Sequence, residues 1–264
     1  MFFGFLFSTL YALAVAPNKG LLRLDIHDFI SGAFLQVVPY YLVFFSETMI
    51  TPEFAGAFMA LVPAWVVLYG VIRGADQRQK YLKQASVLAV GIFCIFLLVY
   101  SNSELSLNNN VVFGSLLALI STFSYAFGTI YTKSTQAEKS PLNNCVSQHF
   151  AGLILSAIAV LALDPLPKSI ILDSDTGLRI LIYASALGLF SNFGAWYVYN
   201  KVMSSHSSLL AALCIMLVPM VCFVVAEILY NRGYNLLDFA LCAMIVISCF
   251  FVVRLNTATQ VSGQ

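Results

Sequence analysis

Apolar runs follow one another along almost the whole chain, separated by short polar joints. A helix needs roughly 20 apolar residues to cross a hydrocarbon core about 30 Å thick. Runs near that length fall at 1–17, 28–50, 55–72, 84–100, 111–133, 143–164, 178–199, 208–230 and 236–255. The expected fold is therefore an all-α polytopic membrane protein with nine transmembrane helices. Of the 264 residues 60% are hydrophobic and only 9% charged, with a mean hydropathy of +0.88. A water-soluble fold of this size cannot hide so much apolar surface, and a soluble enzyme, a nucleic-acid binder and a disordered chain are excluded. A net charge of +1 leaves no basic field for polyanions.

The joints give an orientation. Lys19, Arg23, Arg73, Arg78, Lys80, Lys83, Lys133, Lys139, Lys201 and Arg254 share one side, and only Lys168, Arg179 and Arg232 the other. The richer side is expected to be cytoplasmic, with the C-terminus there and Met1 outside. The short joints and basic inner loops suit a bacterial inner membrane. Cys94, Cys145, Cys214, Cys222, Cys242 and Cys249 form no C-x-x-C pair, so they read as small hydrophobes with no metal, disulfide framework or cofactor implied.

The chain resembles itself at an offset of 156 residues. Gly32 falls on Gly188, Phe34 on Phe190, Tyr41 on Tyr197, Ala55 on Ala211, Leu61-Val62-Pro63 on Leu217-Val218-Pro219, and Ile72 on Ile228, without a gap. Equivalent segments lie five spans apart. An odd separation means they cross in opposite directions, the inverted repeat of many secondary transporters. The halves are 1–105 and 106–264. The span at 111–133 has no counterpart, since its mate would precede residue 1. The expectation is a ten-span ancestor without its first helix or an upstream start; a cleaved signal peptide ending near Ala14 and Ala16 is the rival.

Gly114-Ser115-Leu116-Leu117-Ala118-Leu119-Ile120-Ser121-Thr122-Phe123-Ser124-Tyr125-Ala126-Phe127-Gly128 looks like the opening of the second half in the EamA-type branch of the drug/metabolite transporter superfamily. The runs through Pro63 and Pro219 look like its fourth and ninth helices. The resemblance implies two five-helix halves and transport of a small organic metabolite. The family often places Gly-Glu about thirteen residues after the proline; here those positions hold Asp76 and Arg232, so no acidic role carries over.

Several residues are candidates for transport. A proline inside a helix leaves the carbonyl four residues back unpaired, and in lipid that carbonyl must face protein or a wet cavity. Pro39, Pro63 and Pro219 are the expected kink and gating positions. Asn192, Trp196 and Asn200 are spaced by four and share a helical face. Tyr197 lies beside them, and Gln36, Tyr40 and Tyr41 match by the repeat. With Trp65 and Tyr125 these are the expected substrate-binding residues, lining a polar, aromatic cavity between the halves; interhelical hydrogen bonding without a ligand is the plainer alternative. Gly114, Ala118, Thr122 and Ala126 form a small-residue stripe for close packing. Glu227 and His149 are candidates for coupling. No Lys or Arg lies deep in a span, which favours neutral or zwitterionic metabolites.

No Walker-type G-x-x-x-x-G-K-[ST] occurs, so the expected function is a secondary carrier working by alternating access, not an enzyme. The alternatives are a transport-inactive remnant and a membrane-embedded lipid-modifying enzyme, the latter disfavoured because His27, His149 and His206 are scattered. The expected partners are the metabolite, the bilayer and a second copy of the chain, with no nucleic acid.

Overall fold

The computed structural model describes residues 2–15, 24–73, 78–102, 109–136, 139–163, 174–230, 233 and 235–261. These are almost wholly helical, with no strand among them. Helix α1 is Phe2–Val15 and α2 is Ile26–Glu47. Pro52–Met59 (α3) and Val62–Arg73 (α4) follow, then Arg78–Asn102 (α5), Asn109–Thr135 (α6) and Pro141–Leu163 (α7). Helix α8 runs over 174–205, followed by Ser208–Ile215 (α9), Val218–Tyr230 (α10) and Leu236–Val261 (α11). Among the described residues seven helical runs are long and apolar enough to cross a membrane, one of them, Ala55–Arg73, joining α3 and α4 across a break, while Phe3–Ala14 and Ser208–Cys222 are shorter apolar runs. The chain is an all-α polytopic membrane protein. Of the orienting residues, Lys19, Arg23, Lys168 and Arg232 lie outside the described residues, as do Ala16 and Asp76.

Two features recur at the repeat offset. The run that holds Pro63 is broken at Ala60 and Leu61, whose N–H groups turn back to the Ala57 and Phe58 carbonyls at 3.2 and 2.9 Å. The run that holds Pro219 is broken at Met216 and Leu217, with the Met216 N–H on the Leu213 carbonyl at 3.1 Å. Each proline thus stands second in a new helix, where a missing N–H costs nothing. At Pro63 and Pro219 the expected kinks are full breaks, placed where the repeat predicts, whereas Pro39 stands within the continuous α2, just after its π-helical stretch. The second feature is π-helical backbone. It occupies Ala33–Val37 in α2 and Gly188–Ala195 in α8, and adding 156 to the first range puts it inside the second. Such wide turns absorb one extra residue and occur often at functional sites.

The chain forms two compact units. The first comprises Met1–Val37 and Tyr131–Ser207, the second Val38–Ile130 and Ser208–Gln264. In the first, Gly32 of α2 abuts α7: a Cβ there would meet the Gln148 carbonyl at 3.1 Å and Ala151 at 3.2 Å. Its repeat mate Gly188 abuts α1, where a Cβ would run into Phe3. The two glycines are shared because each is a point of backbone approach, where no side chain fits.

In the second unit α5 packs along α11, its own repeat mate, and a Cβ on Gly91 would run into Ser248 and Met216. The small-residue stripe of α6 is buried at all four positions. A Cβ on Gly114 would meet Met49 at 2.9 Å, and Ala118 joins Ile50 and Ala55 in a core flanked by Phe58 and Val111. In lipid, where apolar surface gives helices no reason to associate, this close packing is what holds them together.

Candidate solute-binding site

In the first unit the site begins at the start of α2. Asp25 is the N-cap, its carboxylate accepting from the Asp28 N–H at 3.0 Å, and Asp28 returns the bond to the Asp25 N–H at 2.9 Å. This reciprocal box satisfies two N–H groups that a helix start leaves open. Asp28 is wholly buried. Its carboxylate also accepts from the Gln136 amide at 2.8 Å and from Lys139 Nζ at 3.0 Å, and lies 2.9 Å from the Ser147 hydroxyl. A buried charge of this kind is tolerated only with a partner and a full set of bonds.

Lys139 also pairs with Asp25 at 2.9 Å. Burial works against the Asp25 charge, but the Lys139 ammonium and the Asp28 N–H outweigh it and hold the carboxyl below its usual range. For Lys139 burial again opposes the charge, and the two carboxylates hold the ammonium above its usual range.

From Asp28 the bonds run inward. Gln136 Oε1 accepts from Gln148 Nε2 at 3.2 Å, and Gln148 Oε1 accepts from the Trp196 indole at 2.9 Å and the Asn200 amide at 3.3 Å. Trp196 and Asn200 therefore do share a face, as their spacing predicts, and that face meets α7 at Gln148. His149, the next residue on α7, is buried with its ring 6.2 Å from that of Trp196 and its Nδ1 3.4 Å from Cys145 Sγ. A Cβ on Gly4 of α1 would meet the His149 ring at 3.2 Å and run close against Asn192. Tyr197 sits with Tyr11 and Phe193 at ring separations of 5.9 and 6.3 Å.

Gln36 lies in the π-helical stretch of α2. It is 1% exposed, and neither its amide nitrogen nor its amide oxygen has a hydrogen-bond partner among the described residues. Its repeat mate Asn192 stands in the π-helical stretch of α8. Asn200 Oδ1 is likewise buried and unpartnered.

The second unit holds the other expected residues. The Trp65 indole donates to Thr122 Oγ1 at 3.0 Å, and its ring meets Phe123 edge-on at 5.6 Å. Ser121 donates to the carbonyl of Pro39 at 3.0 Å. Tyr40 stacks with Phe44 at 6.2 Å, Tyr41 is half-buried, and Tyr125 is buried. Glu227 accepts from the Gly233 N–H at 2.9 Å, and Gly233 has φ +74, a backbone conformation that favours glycine.

The fold thus brings Gln36, Asn192, Trp196, Tyr197, Asn200 and His149 into one unit, and Tyr40, Tyr41, Trp65, Tyr125, Pro39, Pro63, Pro219 and Glu227 into the other. Sequence reasoning missed Asp28, Gln136, Ser147 and Gln148. The Asp25-x-x-Asp28 pattern before an apolar run signals the capping box. Gln148 is four residues from Asn144 and from Gly152, a polar-to-small face that could have marked it.

Comparison with known proteins bears on what this arrangement serves. One solved crystal structure superposes with a TM-score of 0.73 at 17% identity, covering 97% of this chain and 85% of that one, which establishes the fold. No curated protein sequence matches. The EamA-like transporter family matches over residues 112–254, more than half of the chain. With its paired helix breaks, and helices suited to a membrane, the chain belongs to the EamA-like transporter family.

Proposed function

We propose that this protein is a secondary carrier for a small organic metabolite, neutral or zwitterionic, working by alternating access. One observation carries this reading: interrupted helices at repeat-related positions, with buried or half-buried amides in the π-helical stretches. An interrupted helix can change direction without unwinding, and an amide offers a solute both a donor and an acceptor. Gln36, Asn192 and Asn200 are the proposed polar contacts. Trp196, Tyr197, Tyr40, Tyr41, Trp65 and Tyr125 are the proposed aromatic ones, and Pro39, Pro63 and Pro219 the gating positions. Without a lysine or arginine deep in a span, an anionic phosphate has no counter-charge. We assign the carrier to a bacterial inner membrane with its C-terminus in the cytoplasm, and leave Glu227 and His149 as the coupling candidates.

The test is counterflow in proteoliposomes loaded with panels of neutral, zwitterionic and phosphorylated metabolites. The expected result is uptake of a member of the first two panels, lost in Gln36→Leu and Asn192→Leu proteins that keep their melting temperature. Uptake of phosphorylated solutes alone, or uptake unchanged in both variants, contradicts the assignment. Absence of uptake from every panel favours the transport-inactive reading.

A further inference from the structure

The buried hydrogen bonds that run inward from Asp28 all point one way. A carboxylate only accepts and an indole N–H only donates, so chemistry fixes both ends of the relay. Asp28 accepts from Gln136 Nε2, which leaves Gln136 Oε1 to accept from Gln148 Nε2. Gln148 Oε1 then accepts from the Trp196 indole and from Asn200 Nδ2. Asn200 Nδ2 also donates to the Trp196 carbonyl at 3.0 Å, and a carbonyl cannot donate, so the orientation of this last amide is fixed twice. Each amide turns its N–H side toward Asp28 and its oxygen away. The final oxygen, Asn200 Oδ1, has no hydrogen-bond partner, and Asn200 is 1% exposed. Lys133, in the same unit, ends on the Met203 and Ser204 carbonyls at 2.7 and 3.3 Å and leaves that oxygen unserved.

This alignment strengthens the acceptor at its far end. Dipoles arranged head to tail in a low dielectric polarise one another. At the near end Asp25 and Asp28 share a single ammonium, Lys139, and these three groups sum to one negative charge. The relay carries that sign inward to Asn200 Oδ1. A buried acceptor without a donor is rare in folded proteins, and the donor that suits this one is positively charged. Aromatic faces on the same turn favour the same chemistry. Trp196 stacks with Tyr199 at 5.3 Å, and its ring lies 6.2 Å from that of His149. Such faces attract an ammonium. A carboxylate or phosphate oxygen placed there would meet another acceptor.

We propose that Asn200 Oδ1 is the subsite for an ammonium group of the solute, a primary amine or the amine end of a zwitterion. Asp28, Gln136 and Gln148 are positioning residues that orient it. The inference deepens the carrier reading and rests on it for transport, while binding is measured apart from transport. The test is calorimetric binding to the purified full chain of alkyl and arylalkyl primary ammonium ions, their trimethylated analogues and the corresponding alcohols. Trimethylation keeps the charge and removes every N–H; the alcohol keeps a donor and removes the charge. Primary ammonium ions are expected to bind about tenfold more tightly than either, and Asn200→Leu to abolish that preference. Gln136→Met cuts the relay and spares the Asp28–Lys139 pair. It is expected to lower the preference by about threefold. Equal or absent binding of the three probe classes, or a preference that survives Asn200→Leu, overturns the proposal. So does a Gln136→Met protein that weakens all three classes alike, which would give Gln136 a structural role only. Ammonium binding without counterflow of any solute defeats the carrier reading and keeps the subsite. Counterflow of solutes that lack an N–H, with no ammonium binding, keeps the carrier and defeats the subsite.

Discussion

Helices α2 and α8 descend from one pattern and differ in how they are held. Both carry the shared glycine, the π-helical stretch and a central amide, Gln36 in one and Asn192 in the other. Yet α2 is anchored at its start by Asp28, in a place where α8 has Ala184, and is covered by α6 as well as α7. Local features that the backbone requires, and the amides proposed to meet the solute, are kept in duplicate. Features that only fix a helix in place have diverged. The proposed alternating access gives such asymmetry a reason, since one moving element needs a fixed one to work against.

The strongest way to break this contrast is to make α2 resemble α8. Asp28→Ala removes the acceptor shared by Lys139, Gln136 and Ser147; Lys139 is partly exposed and keeps Asp25, so the loss falls on the buried Gln136 amide and Ser147 hydroxyl. A loss of about 2–4 kcal/mol is expected for two buried polar groups left without their acceptor, read as a drop in melting temperature in detergent. An unchanged melting temperature would mean that the network does not anchor α2. Next in size are the two glycines. Gly32→Leu meets the α7 backbone and Gly188→Leu meets Phe3, and each is expected to cost about 1–3 kcal/mol by overpacking. The contrast predicts similar losses from both, since this is the face the two helices share; a loss confined to one would undo the equivalence.

Trp196→Phe keeps an aromatic ring, though a smaller one, and removes the donor to Gln148 Oε1, while Asn200 still serves that oxygen. A cost of about 1 kcal/mol is expected, with a larger effect on solute affinity if the face binds it. The smallest effect is that of pH. Asp25 has a lowered pKa, so its contribution is present above the ordinary carboxylate value of about 3.9 and is lost as pH falls through the folded-state value. Lys139 has a raised pKa, so its contribution is present below about 10.4 and is lost as pH rises through the folded-state value. A stability plateau is expected between them. The pair is partly exposed, so each limb should stay near or below about 1 kcal/mol. Lys139→Met should flatten both limbs.

Much of this fold is written locally. Pro63 and Pro219 mark the helix breaks because a missing N–H acts on the adjacent backbone, wherever the rest of the chain goes. The four-residue spacing of Asn192, Trp196 and Asn200 places Trp196 and Asn200 together on Gln148 for the same reason. The π-helical stretches leave no such trace, because one extra residue in a turn shifts an apolar period too little to read. The Asp28 network is hidden differently: its partners Gln136, Lys139 and Ser147 lie over a hundred residues away, and nothing in the spacing of either segment names the other.

The account depends on α2 and α8 entering the membrane from opposite sides. Ile26→Cys and Gly177→Cys, both near helix starts with room for a reagent, can be labelled in a cysteine-free background with a membrane-impermeant maleimide. The expected result is that in intact cells Gly177→Cys reacts, whereas Ile26→Cys reacts only after the membrane is opened. If both cysteines react from the same side, the two helices are not inverted copies, and the proposed mechanism has no basis.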